Sequence, residues 1–123
     1  MLGLAEYIIR NYRGKVVEIG IGHYFEVAKI LAKNGFEVYA TDLKDAKTPK
    51  YVKYFIDDVR SPKIEIYRGA SLIYSIRPPP EIFEPIRVVS QKVNADCIIK
   101  PLYGDFPEGK LVNYKGTYFY VLR

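Results

Sequence analysis

The stretch Val16-Val17-Glu18-Ile19-Gly20-Ile21-Gly22 decides the fold. It reads as a short apolar strand breaking into a turn with two glycines one residue apart, and a helical pattern follows from His23. Paired glycines let the backbone bend sharply and let a ligand approach where a Cβ would clash. The next β-rich run, 36–41, closes at Asp42, about twenty residues beyond the turn, where a carboxylate commonly holds ribose hydroxyls. Turn and carboxylate together point to a small nucleoside-containing ligand.

Outward from this stretch, strand and helix patterns alternate. Residues 2–12 carry Ala5, Ile8, Ile9 and Tyr12 at helical spacing, with Gly14 as a C-terminal cap. Residues 15–19 are the first strand, and 23–34 a helix with Val27, Ile30 and Leu31 inward and Gly35 at its end. A polar loop, 43–53, precedes a third strand at 54–56 that runs into Asp57 and Asp58. Ser61-Pro62 is a helix opening, serine as cap and proline in the first turn, for a brief helix. The fourth strand, 70–76, is apolar enough for burial on both faces, and Pro78 to Pro80 stop it. A helix over 82–94 tolerates Pro85 only near its first turn, and a fifth strand covers 97–100. Residues 111–114 and 117–122 flank Lys115-Gly116 as a hairpin. The fold expected is α/β: a Rossmann-like, doubly wound, mainly parallel sheet with helices on both faces and a C-terminal antiparallel hairpin.

Composition narrows the function classes. A chain of 123 residues has room for one core, so 1–123 is read as a single Rossmann-like domain. Charged residues at 27% and apolar residues at 49% fit a globular chain; no run is apolar for long enough to span a bilayer, and no signal-peptide pattern follows the N-terminal stretch. No membrane partner is expected, and the reading is cytoplasmic. Cys97 is the only cysteine and His23 the only histidine, which excludes a disulfide and leaves no metal cage. The net charge of +5 leans toward an anionic partner, RNA included, although scattered lysines also suit a heat-adapted surface.

In open α/β sheets ligands sit beyond the carboxyl ends of the strands, where the winding reverses. This chain places Glu18, Gly20, Gly22 and His23 after or within the first such end, Asp42 after the second and Asp57 and Asp58 after the third. Ser75, Ile76 and Arg77 come at the fourth. Carboxylates at three successive strand ends repel one another unless donors face them, and a ribose diol and an adenine amino group are such donors. A dinucleotide fingerprint wants a third glycine where Phe25 stands, and pyrophosphate is repelled by an acidic floor that suits a sulfonium.

This set resembles the class I S-adenosylmethionine-dependent methyltransferases. Glu18-Ile19-Gly20-Ile21-Gly22 matches their first motif, Asp42 the ribose carboxylate, Asp57-Asp58-Val59 the adenine-side acidic pair, and Ser75 to Pro80 stands where the motif after strand four lies. The order looks more particularly like a small uncharacterised archaeal family similar to a trimmed methyltransferase core. The resemblance implies S-adenosylmethionine as cofactor, with Glu18, Gly20, Gly22, His23, Asp42, Asp57, Asp58, Ser75 and Arg77 as its candidate contacts. Two departures stand out. Tyr24 replaces a third glycine, and Ile76-Arg77 precedes the prolines where amino-group methyltransferases carry Asn or Asp, a change that puts catalysis in question.

Each residue also has a plainer reading. The glycines suit a tight turn, His23 an exposed first-turn position, and Asp42 a solvated turn. Asp57 and Asp58 suit capping, and Arg77 either clamps an anion or pairs with Glu81 or Glu84. The alternative function is a non-enzymatic Rossmann-like module binding RNA, another nucleotide or a protein partner, with a second copy joined through the edge hairpin. Its RNA surface would use the lysine–tyrosine interleaving at 50–54 or 114–120.

Overall fold

The computed structural model describes residues 2–122. Its elements are α1 (Leu2–Asn11), β1 (Lys15–Ile19), α2 (Glu26–Lys33), β2 (Glu37–Asp42) and β3 (Val52–Ile56), followed by β4 (Leu72–Ile76), α3 (Phe83–Lys92), β5 (Asp96–Lys100), β6 (Lys110–Tyr114) and β7 (Thr117–Leu122). Single 3-10 turns cover Ile64–Ile66 and Pro80–Ile82. The strands form one sheet in the order β3-β2-β1-β4-β5-β7-β6. The first five run parallel. β7 runs against both β5 and β6. The fold is therefore Rossmann-like and mostly parallel, and within the C-terminal hairpin only β7 is reversed relative to the rest.

Period-two alternation along the strands splits the core into two layers. Val16, Val38, Leu72, Tyr74 and Ile98 meet Leu4 and Ile8 of α1 and Val27 and Leu31 of α2 on one face. Val17, Ile19, Ile73 and Ile99 meet Ile86 and Val89 of α3, and Ile66 and Tyr67 around the first 3-10 turn, on the other. β4 is buried at every position, as its unbroken apolar run requires. β1 and β4 are neighbours although β2 and β3 lie between them in sequence, so the winding reverses there and the strand ends diverge into a crevice.

β3 opens at Val52 inside the segment read as a loop, β4 at Leu72, and α3 ends at Lys92; two further differences from the sequence reading bear on the site. α2 opens at Glu26 and not at His23, because Gly22 holds a left-handed φ of 57° and the Tyr24 N–H closes a turn on the Ile21 carbonyl. Ser61 does not cap the short turn beyond it: that turn starts three residues later, and the Asp57 carboxylate accepts from the Lys63 N–H at its edge.

Candidate functional site

The glycine bend is fastened to the end of β2 by three hydrogen bonds. Gly20 and Ile21 donate their N–H groups to the Thr41 carbonyl at 2.9 and 3.1 Å. Gly22 donates to Asp42 Oδ2 at 2.7 Å, while Asp42 Oδ1 accepts from the Leu43 N–H at 2.7 Å. Gly20 has φ 72°, a region open to glycine at no steric cost. Across the crevice Ser75 Oγ donates to the Ile19 carbonyl at 2.6 Å, pinning β4 to β1.

A cleft of about 350 Å³ opens above these ends. Ile19, Gly20, Thr41 and Asp42 form its floor; Asp57, Asp58, Val59 and Arg60 stand on one side, with Arg77, Pro78, Pro79, Glu81 and Ile82 on the other. The volume falls in the range of small-molecule sites. Each Asp42 oxygen has one backbone donor and keeps a second lone pair, so the carboxylate can take the two hydroxyls of a ribose. Asp58 is held by the Arg60 guanidinium through two bonds of 3.0 Å, and that partner lowers its pKa.

Other candidates are engaged internally or lie away from the cleft. Asp57 borders the cleft but is only 7% exposed, and its carboxylate is turned to internal donors: Oδ1 accepts from Lys63 N–H at 3.0 Å and Oδ2 from the Tyr67 hydroxyl at 2.6 Å. Ser75 is 1% exposed and bonded internally. His23 is exposed and forms no part of the cleft wall. Glu18 lies on the face packed by α1 and α2, not on the cleft floor, because alternation along β1 gives Ile19 that position. It is 1% exposed and is the register partner of Tyr74 on β4. Glu18 Oε1 and the Tyr74 hydroxyl both lack a hydrogen-bond partner of ordinary geometry. Burial pushes the Glu18 pKa up to about 8, with the Tyr74 hydroxyl alongside offsetting part of the rise.

Arg77 stands at the cleft wall with its guanidinium carbon 5.2 Å from the Tyr24 ring centroid. It takes neither of the expected partners: Glu84 is paired with Arg87, and no ion pair joins Arg77 to Glu81 among the described residues. The sequence reading missed Arg60 and Lys100. Arg60 is fixed by a contact two residues away, whereas Lys100 joins Arg77 only through the β4–β5 register. No group of three or more histidine, cysteine or carboxylate residues among the described residues could hold a metal, and no described helix is long and apolar enough to cross a membrane.

The model of the uncharacterised protein family UPF0146 matches residues 1–123. The chain belongs to that family. A UPF0146 protein of Archaeoglobus fulgidus is 58% identical over 123 residues, covering 100% of this chain and 95% of the relative. One from Pyrococcus horikoshii is 42% identical over 128 residues, covering 98% and 97%. Among solved structures, the chain is similar to a TehB-like S-adenosylmethionine-dependent methyltransferase from Corynebacterium glutamicum, at TM-score 0.62 and 21% identity over 97% of this chain and 84% of that one. It is also similar to the glycopeptide N-methyltransferase MtfA complexed with S-adenosylmethionine, at TM-score 0.59 and 14% identity over 98% and 64%. At these identities the likeness carries the fold: a methyltransferase-like Rossmann core.

Proposed function

We propose that this protein binds S-adenosylmethionine in the cleft above β1, β2 and β4, as a methyltransferase-like protein. One observation carries the reading: the glycine bend is locked to Asp42 beside a ligand-sized cleft at the point where the winding reverses. The donor set fits the group. Asp42 accepts from the ribose hydroxyls, Gly20 gives close backbone approach, and Asp58, steadied by Arg60, accepts from the adenine amino group. When bound, S-adenosylmethionine supplies an electrophilic sulfonium methyl, and the chain's contribution is to position it and exclude water. Calorimetric titration with S-adenosylhomocysteine tests this. Binding by the wild-type chain, weakened at least about tenfold by Asp42→Ala, is expected; absence of binding at millimolar ligand by a folded chain overturns it.

A second reading, RNA binding, rests on a different surface. The connection 43–51 holds no helix, and on the β2–β3 face Tyr39 stacks on Phe55 with centroids 5.3 Å apart. Lys15 and Lys53 lie 4.0 and 5.4 Å from the Tyr39 centroid. This reading expects Lys53→Glu to weaken single-stranded RNA binding and flatten its salt dependence. The interleaving at 114–120 is partly spent on packing: Tyr114 sits edge-on to Tyr7 and Phe119 is fully buried, while Tyr118 is exposed.

A further inference from the structure

Arg77 and Lys100 come from neighbouring strand ends at the carboxyl edge of the sheet. Ile76 and Lys100 are register partners closing β4 and β5, and the Arg77 N–H donates to the Lys100 carbonyl at 2.6 Å. Neither side chain forms an ion pair among the described residues. Burial and the charge of Arg77 both push the Lys100 pKa down.

The guanidinium is also held in place. The Tyr24 ring lies under it at 5.2 Å, which leaves its N–H edge for other partners. Arg77 adopts φ 54°, a left-handed conformation that a residue with a Cβ takes only at a cost. Glycine would relieve that cost, so the arginine side chain is kept where the backbone does not favour it.

We propose that Arg77 and Lys100 form an anion subsite beside the nucleoside cleft, and that it receives the carboxylate of the methyl acceptor. The proposal rests on the cofactor reading above and names the acceptor class for that same site. Arginine and protonated lysine have no acceptor lone pair with which to hold the N–H of an amine, and methylating an amine leaves a cation beside two others. A carboxylate needs no base. Its oxygen lone pair forms the bond to the sulfonium methyl carbon, and the carbon–sulfur bond breaks with its electron pair left on sulfur. The products are a neutral methyl ester and the neutral thioether of S-adenosylhomocysteine, and no proton moves. Losing its charge also releases the product from the cation pair.

The test is an NMR titration of the full chain, saturated with S-adenosylhomocysteine, against sodium acetate, following the Arg77 Nε–H and the Lys100 amide. Saturable shifts at both in the millimolar range are expected, with affinity at least about tenfold lower in Arg77→Gln. Lys100→Met, which leaves the left-handed residue untouched, is a second variant expected to weaken acetate. Non-saturating shifts overturn the proposal, as does tighter binding of sodium phosphate than of acetate. Acetate binding that S-adenosylhomocysteine abolishes also overturns it, because Arg77 then reads the cofactor's own carboxylate. If the wild-type chain does not take up S-adenosylhomocysteine, the acceptor assignment falls with the cofactor reading; acetate titration of the ligand-free chain then shows separately whether the anion subsite exists.

Discussion

Glu18 is the residue whose chemistry and surroundings are most at odds. An unfolded glutamate titrates near 4.5, whereas burial holds the folded one near 8. Between those values the unfolded chain has released a proton that the folded chain keeps, so this contribution to stability is full below pH 4.5 and is lost as pH rises through 8. Glu18→Gln removes the titration. It is expected to flatten the decline and to raise stability at pH 8 by about 1–4 kcal/mol, as read by urea denaturation across pH. Asp57 is the opposite case, a buried carboxylate with a donor on each oxygen. Tyr67→Phe removes the donor at 2.6 Å from a side chain only 7% exposed, and a loss of about 1–3 kcal/mol is expected in the same assay. The sequence shows these carboxylates at strand ends but not their partners. Tyr74 meets Glu18 through the β1–β4 register, and Tyr67 reaches Asp57 by a local turn that carries no periodic signal.

At the scale of elements, the strands were legible because each is an apolar run bounded by glycine, proline or charge, as in 15–19 and 72–76. Helix starts were less so. The α2 start depends on the backbone of Gly22 and on a turn closed at Tyr24, which side-chain periodicity does not report. The placement of α1 against the hairpin was likewise invisible from spacing. A Cβ on Gly3 would fall 2.4 Å from Thr117 Oγ1 and 2.9 Å from the Tyr114 carbonyl oxygen, so this glycine sets how closely the first helix approaches the β6–β7 turn. Gly3→Ala is expected to cost about 1–3 kcal/mol by forcing α1 off that turn, as a fall in thermal midpoint with the far-ultraviolet spectrum retained. Lys115→Ala breaks the exposed ion pair to Glu6 and the contact of Lys115 with the Tyr114 ring, and is expected to leave the thermal midpoint almost unchanged.

Across the whole molecule, the order of the sheet creates the cleft and the connections shape what surrounds it. The segments 43–51 and 101–109 contain no helix, and the chain covers 84% of the TehB-like methyltransferase and 64% of MtfA. Parallel alternation made the layered fold readable from sequence, whereas the parallel sense of β6 emerged only from its pairing with the reversed β7. The ligand reading depends on whether the bend and Asp42 act as one unit. Amide chemical-shift mapping with S-adenosylhomocysteine measures that most directly. The account predicts saturable shifts concentrated at Gly20, Gly22, Asp42, Leu43 and Asp58. Shifts confined to the Tyr39–Lys53 face, or no saturable shift at all, would contradict it.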